Sequence, residues 1–333
     1  MSIKDLSVLL SGKEASTDAF GTQAAVTAKW GGVTEASITP VIESEIIKEL
    51  KGSMQPGFNT IIKSKSGEAK IDGVMDYAGI VYALDGLFGA AVPGAVDTDA
   101  CYDRTYAAPT IAAVSPQRYT ILYGDSDNYY TLFGGTVSKF GLKGESGGPI
   151  EYSLEFVGKG VSATGYLSDV ADSDRAANIA MGCHCSLWID PGSDAVGTTP
   201  ITTTAFSFDL SVDPKRALKY HLGACTPDST FDTAWEGELK LVLELTSAMK
   251  TIVDTLISPS ANVKKNVKIS MQHPVSLETF YFTFGGVVLE APEMFTDQDG
   301  VVTIELTLKG IATEGMSYNW LGMYSNAKLA TLV

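Results

Sequence analysis

The chain has 333 residues and a mass of 35.3 kDa, and 24 Lys and Arg against 39 Asp and Glu give a formal net charge of −15. Because 45% of the residues are apolar and only 19% are charged, a full core can form and predominant disorder is excluded. The acidic balance also argues against a protein that grips nucleic acid, since phosphate binding needs a Lys and Arg surface.

The length fits two ordinary domains or one large β domain, at roughly 150 residues per domain. Four cysteines are too few for a disulfide scaffold, and the first residues lack the pattern of a secretory signal. No apolar run approaches the roughly 18 to 20 residues of a membrane-spanning helix. We therefore expect a protein that is made and kept in the cytoplasm.

The first half of the chain predicts strands around one helix. A strand over 69–74 runs into a segment where Ile80, Leu84 and Phe88 recur at i, i+4 and i+8, the spacing of one apolar helix face. A segment of about 92–117 that is rich in Pro, Ala and Asp predicts a surface loop inserted into this half.

The second half repeats the same order. A strand over 238–243 precedes Ala248, Ile252 and Leu256, which again share one helix face, with Ser247 as the predicted N-cap. One apolar stripe per helix indicates a helix that packs on a sheet.

The strands that follow the helices have a period of two. Over 302–308 the apolar residues lie on one face and the Thr and Glu residues between them on the other. Turn residues over 143–149 and 297–300 predict hairpins at equivalent places in the two halves. We expect antiparallel sheets with one wetted face.

Matches between the two halves indicate an internal duplication. Phe133 and Phe284 stand in similar Phe-Gly-Gly segments 151 residues apart, and Lys159 and Lys309 in similar strand ends 150 residues apart. Upstream matches around Gly52 and Gly223, and around Gly67 and Gly237, have offsets of 171 and 170 residues. The offsets keep their order and change only where a loop can absorb an insertion, which favours duplication over chance.

These patterns predict a mainly β protein with two tandem β-barrel or sandwich units, each with one flanking α-helix. The predicted division is an N-terminal arm over 1–24, a first unit over 25–165 with the insertion of about 92–117, a connector over 166–182, a second unit over 183–318 and a C-terminal tail over 319–333.

The sequence offers little catalytic or metal chemistry. The segment Cys183-His184-Cys185 has one-residue spacing, so on a strand the two thiols share a face that His184 does not. We therefore favour strand cysteines over a zinc site. His221 and His273 stand outside any catalytic motif, and we predict neither an enzyme nor a bound cofactor or metal.

The segment 137–159 consists of a strand, a Gly-rich hairpin and a second strand that ends in Phe-Val-Gly-Lys. This arrangement resembles the tail tube proteins of long-tailed, siphovirus-type bacteriophages, most clearly over 118–165 and more weakly over 265–315. The usual family unit is one tube domain that assembles as a hexameric ring. The duplication therefore matches the family's duplicated-domain form, in which three chains make a ring with pseudo-sixfold symmetry.

The resemblance implies a virion structural protein that self-assembles into stacked rings, the channel for DNA ejection into the host. Its partners would be further copies of itself, the tape measure protein, and tail-tip and terminator proteins, with assembly in the bacterial cytoplasm. Double-stranded DNA would pass through the lumen without specific binding, repelled by carboxylates. Glu155 and Glu305, on the polar faces of equivalent strands, are the candidates for the lumen face, although an ordinary solvated face explains them equally well.

Ring stacking requires a protruding element, and the two long connections over 52–67 and 223–237 are the candidates. Both contain apolar residues in loop-like sequence, as interface anchors do. The predicted stacking residues are Met54, Phe58, Ile61, Ile62, Phe231 and Trp235. The alternative is that these side chains pack onto their own unit.

Two other functions stay open at this stage. A tail-tip or baseplate hub protein also pairs two tube-like domains, although 333 residues leave little room for the further domains of a hub. A carbohydrate-binding β-sandwich adhesin would show clustered exposed aromatic residues. The candidates for that cluster are Tyr119, Tyr123, Tyr129 and Tyr130.

Overall fold

The structure is a computed structural model. It describes residues 7–15, 19–47, 59–97, 100–110, 114–125, 128–163, 178–201, 205–247, 249–251, 264–289, 293–298, 300–317 and 319–329.

The chain is mainly β, as predicted from the sequence. The first half contains β1 (Val8–Lys13), β2 (Ala28–Lys29), β3 (Val33–Ile47), β4 (Asn59–Val74), α1 (Ile80–Phe88), β5 (Tyr102–Ala107), β6 (Tyr119–Gly124), β7 (Tyr129–Glu145), β8 (Glu151–Gly158) and β9 (Gly160–Ser162). The second half contains β10 (Cys185–Pro191), β11 (Ala205–Asp213), β12 (Ala217–Lys219), β13 (Ser229–Phe231), β14 (Glu236–Glu244), β15 (Lys264–Gln272), β16 (Thr279–Val288), β17 (Glu293–Gln298), β18 (Val301–Gly310) and β19 (Leu321–Ala327).

One antiparallel sheet runs through both halves, in the order β3-β4-β8-β7-β11-β14-β18-β17. We call it the inner sheet. The first four strands belong to the first half and the last four to the second half, and each set has the same pairing order. The pairing of β7 with β11, which we call the seam, joins the two sets.

Two smaller antiparallel sheets pack behind the inner sheet. One has the order β2-β1-β6-β7-β9 and uses the first part of the long strand β7. The other has the order β10-β15-β16-β19-β5. The core lies between the layers, where Phe140, Leu210, Leu241 and Phe282 are almost wholly buried.

Three segments that were expected at the margins of the units contain strands of these smaller sheets. The expected N-terminal arm includes β1, the expected surface loop over 92–117 includes β5, and the expected C-terminal tail includes β19. Strand β5, from the first half, pairs with β19 at the end of the chain. The surface-loop expectation is therefore wrong for β5, because its pairing partner lies too far along the sequence to leave a local pattern. The unit boundaries themselves stay predictions.

The first predicted helix is present as α1, and all of its residues, including Ile80, Leu84 and Phe88, are buried. In the second half, Ser247 and 249–251 are helical, whereas Ala248, Ile252 and Leu256 lie outside the described residues. Ser247 is not the N-cap, because it already lies within the helix. The hydroxyl of Thr246 accepts the hydrogen bond from the N–H of Met249 instead, at 3.4 Å.

The helices among the described residues are short. None combines the length and the hydropathy that crossing a membrane requires.

Candidate functional site

The inner sheet turns one face to the core and the other away from it, and we call the second the polar face. On this face acidic residues outnumber lysines. The described acidic residues are Glu35, Glu68, Asp72, Glu145, Glu151, Glu155, Asp209, Asp213, Glu236, Glu238, Glu244 and Glu305, and the lysines are Lys70, Lys139, Lys143, Lys240 and Lys309. The face therefore carries a net negative charge.

The charges on the polar face form ordered rows across the strands. One row runs through Glu151, Lys143, Asp209 and Lys240 on four neighbouring strands, with alternating sign. Directly opposed residues in an antiparallel pair have Cβ atoms about 4.5 to 5.5 Å apart, so opposite charges at these positions favour this register. The row crosses the seam and indicates a fixed pairing of β7 with β11.

Close packing on the core side also defines the seam. Gly144 lies opposite Phe208, and a Cβ at this glycine would come within 2.3 Å of the Phe208 ring and 2.6 Å of the Ile150 side chain. Only glycine allows the two strands and the aromatic ring to approach this closely. The halves are therefore joined by packing as well as by backbone hydrogen bonds.

Several lysines of the polar face form ion pairs with carboxylates of the same face. Lys139 Nζ lies 2.8 Å from Glu155 Oε2, and Lys143 Nζ lies 2.8 Å from Glu145 Oε1. The hydrogen bond to its partner raises the pKa of each lysine above its ordinary value. Both pairs are about half exposed, so they contribute little to folding stability.

The structure brings the two predicted lumen residues onto this one face. Glu155 lies on β8, opposite Lys70 on one side and Lys139 on the other. Glu305 lies on β18, opposite Val242. The Glu155 carboxylate therefore lies between two lysines, whereas the residue opposite Glu305 on β14 is uncharged.

A buried arginine that the sequence reading missed ties the second half to the first. Arg216 precedes β12, its side chain is fully buried, and its guanidinium forms two hydrogen bonds with the Asp232 carboxylate, at 2.6 and 2.9 Å. It also donates to the carbonyl oxygens of Gly86 and Leu87 in the last turn of α1, at 3.1 Å each, and to that of Val137.

This contact fixes the small β12–β13 hairpin against α1. The positive guanidinium satisfies carbonyl groups at the helix C-terminus, where the helix dipole favours a cation. The sequence alone did not indicate this contact, because the acceptors lie far from Arg216 along the chain.

Two of the predicted stacking residues of the first connection, Ile61 and Ile62, lie on an extended hairpin. Strands β3 and β4 continue past the end of β8, and we call this extension, over 41–47 and 59–66, the arm. Ile61 and Ile62 are 44% and 45% exposed there. Met54 and Phe58 lie outside the described residues.

Two further isoleucines of the arm, Ile42 and Ile46, are exposed on β3. The backbone N–H of Lys65 donates to the carbonyl of Cys225 at 2.7 Å, so the base of the arm contacts the β12–β13 hairpin. The arm therefore presents apolar side chains that its own chain leaves uncovered.

The second connection is different. Phe231 is exposed at the end of β13, but the Trp235 ring stacks on Phe88, with centroids 5.3 Å apart. The Trp235 side chain therefore packs against its own chain.

The Cys183-His184-Cys185 segment was predicted to be a strand, but only Cys185 lies on one. Residues Gly182–His184 form a 3-10 turn, so Cys183 is exposed while Cys185 begins β10, half-buried. Burial, with a smaller contribution from Cys183, raises the pKa of the Cys185 thiol to about 12. The His184 ring packs on His273 with centroids 5.9 Å apart. Within the described ranges no group of three ligating side chains could hold a metal ion.

The tyrosines that could have formed an adhesin platform are split between the core and the surface. Tyr119 is buried and donates a hydrogen bond to the Tyr82 carbonyl at 3.0 Å. Tyr130 is exposed and Tyr123 is half-buried. This removes Tyr119 from the proposed aromatic cluster.

Comparison with protein families gives one match that covers most of the chain. The model described as "Phage tail tube protein" matches residues 5–310. A comparison with curated proteins found no match.

Proposed function

Because the chain belongs to the phage tail tube protein family, a family of virion structural proteins, we propose that three copies close into a ring with pseudo-sixfold symmetry. Such rings stack into the tail tube of a siphovirus-type phage. Each chain supplies two tube units, one from each half. The lumen carries double-stranded DNA during ejection into the host.

The continuous inner sheet is the observation that carries this proposal. Within the described residues, β3 pairs only with β4 and β17 only with β18, so the sheet ends in two edges. Open edges are a liability in an isolated chain, and a ring in which β17 of each chain pairs with β3 of the next removes them. The seam is a template for that contact, because it already joins a first-half unit to a second-half unit.

The seam also predicts the register of the contact between chains. In the seam, Lys143 lies opposite Asp209, and Lys143 is paired on its other side with Glu151. In the second half Gln298 is paired with Val301, which follows Glu151 by 150 residues. Gln298 is therefore the counterpart of Lys143.

The counterpart of Asp209 follows in the same way. Asp209 lies two strands from Thr307, and Thr39 lies two strands from Val157, which precedes Thr307 by 150 residues. We therefore place Thr39 of one chain opposite Gln298 of the chain beside it.

The polar face lines the lumen in this arrangement, with Glu155 and Glu305 among its carboxylates. An acidic wall repels phosphates, so the DNA passes without specific binding. The net charge of −15 is consistent with this role.

The arm serves as the stacking element between rings. Ile42, Ile46 and Ile62 form an exposed apolar surface on one face of the arm, and Ile61 is exposed on the other face. A second ring would bury these side chains. Met54, Phe58 and Phe231 stay predicted stacking residues. The tape measure protein and the tail-tip and terminator proteins are the further proposed partners, with assembly in the host cytoplasm before incorporation into the virion.

A disulfide cross-link tests the ring directly. Thr39→Cys and Gln298→Cys are introduced together, with the exposed Cys183 and Cys225 changed to serine, and assembled protein is oxidised and run on a denaturing gel. We expect covalent species that end at the closed trimer. Thr39→Cys alone is the matched control and should stay monomeric. A ladder beyond three chains, or no cross-linking in assembled protein, contradicts the proposal.

A further inference from the structure

The lysines of the polar face are an apparent conflict with a surface that must let DNA slide. A lysine that faces a lumen can hold a phosphate, and each such contact adds to binding. Three of these lysines share two carboxylates. Lys139 pairs with Glu155, and Glu238 lies between Lys240, at 3.5 Å, and Lys309.

We propose that Glu155 and Glu238 are shielding residues that occupy Lys139, Lys240 and Lys309 and so prevent the polar face from binding the phosphate backbone of duplex DNA. This inference rests on the proposed lumen position of the face. In this role the two carboxylates keep the lysines from contacting phosphates, in addition to their contribution to the net charge.

The geometry supports a role other than folding. The side chains of Lys139, Lys240 and Lys309 are 53%, 49% and 51% exposed, and exposed ion pairs add little to stability. Each pair joins neighbouring or nearby positions on the same face, so the ammonium groups are held along the sheet surface.

The titration behaviour of the two pairs agrees with this geometry. The hydrogen bond to Glu155 raises the pKa of Lys139, and the hydrogen bond from Lys309 lowers the pKa of Glu238. Both shifts favour the charged, paired forms at neutral pH.

The test compares DNA binding by the full-length chain with and without the two carboxylates. The variant is Glu155→Gln/Glu238→Gln, and the probe is a short fluorescent DNA duplex titrated between about 50 and 200 mM salt. Three freed lysines should give measurable binding whose logarithm falls with the logarithm of the salt concentration with a slope of about −2 to −3. The wild-type chain should show no measurable binding.

Two further variants separate shielding from a simple change of net charge. Asp228→Asn/Glu314→Gln removes two exposed carboxylates away from the polar face and should leave DNA binding unmeasurable. Adding Lys139→Gln/Lys240→Gln/Lys309→Gln to the first variant should abolish the binding that it gained. Equal binding by the off-face control, or binding that survives loss of the lysines, overturns the shielding role.

If the double variant does not fold, the single variant Glu155→Gln makes the same comparison. Its one freed lysine should give DNA binding with a salt slope of about −1. Adding Lys139→Gln should abolish that binding. Absence of binding in a folded variant overturns the inference. Negative-stain images of the wild-type protein are collected in parallel. Absence of rings or tubes there contradicts the proposed function and leaves the binding result to decide the shielding role by itself.

Discussion

The connection between the first two inner-sheet strands differs sharply between the halves. In the first half, β3 and β4 extend into the arm, which exposes Ile46 and Ile62. In the second half, the chain between β11 and β14 instead folds into the β12–β13 hairpin, which Arg216 fastens to α1.

The same repeated unit therefore carries two different connections. Both halves keep the same strand order in the inner sheet. The connection of the second half holds the two halves of the chain together, whereas the connection of the first half carries isoleucines that the chain leaves exposed.

Removal of the buried guanidinium should be the most damaging change. Arg216→Met leaves Asp232 as a buried charge without its partner and removes the donors to the α1 carbonyls. We expect a loss of about 3 to 5 kcal/mol in the free energy of unfolding, measured by urea denaturation. The exposed neighbour Lys215→Met is the control and should change stability by less than about 1 kcal/mol. Similar stability of both variants would show that the hairpin needs no fastening.

A side chain in the seam should separate the halves. In Gly144→Val the added atoms overlap Phe208 and Ile150, and we expect a loss of about 2 to 3 kcal/mol in unfolding free energy. Gly148→Ala is the matched control, because a Cβ there meets nothing closer than 3.8 Å. Equal denaturation midpoints for the two variants would contradict a tightly packed seam.

The two halves also bury a carboxylate beside their first outer strand, Glu14 after β1 and Asp190 in β10. Burial would raise the pKa of Asp190, but hydrogen bonds from Thr198, Thr199 and Gly197 outweigh it and hold the pKa below its ordinary value. The stability from Asp190 is therefore present above the unfolded-state pKa and is lost as the pH falls through the lower folded-state pKa.

Asp190→Asn should cost about 1 to 2 kcal/mol at neutral pH, because an amide cannot accept all of these hydrogen bonds. The difference from wild type should shrink in acid, where the wild-type carboxylate is protonated. Thermal melts at a series of pH values check this. A difference that is constant with pH would mean that the ionised carboxylate is unimportant.

The arm should tolerate a change that the rest of the chain would not. Ile46→Asp/Ile62→Asp should alter the unfolding free energy by no more than about 0.5 kcal/mol, since both side chains are already exposed. Negative-stain images should nevertheless show rings in place of tubes. Ile46→Val/Ile62→Val keeps the apolar surface and should still form tubes. Tubes of normal length from the aspartate variant would exclude the arm as the stacking element.

Periodic patterns of apolar residues in the sequence predicted individual helices and strands. The stripe of Ile80, Leu84 and Phe88 identified α1, and the alternation in 302–308 identified β18. At the start of β18 the predicted alternation fails, because Val302 is exposed while Thr303 is buried. The Thr303 hydroxyl lies 2.7 Å from that of Thr296 across a bulge in β17, a pairing that alternation cannot foresee.

Long-range features were beyond such patterns. The pairing of β5 with β19 and the acceptors of Arg216 depend on segments that are distant in sequence. Glu155 and Glu305 lie on the equivalent strands β8 and β18, but the sequence did not show that the polar faces of the two halves are one surface. That continuity depends on the seam, whose strands come from different halves.

Cryo-electron microscopy of tubes assembled from the purified chain tests the central claim most directly. We expect three chains per ring, β17 of each chain paired with β3 of the next, and the polar face with Glu155 turned to the lumen. Rings of six chains, or a lumen lined by the other face of the molecule, would contradict it.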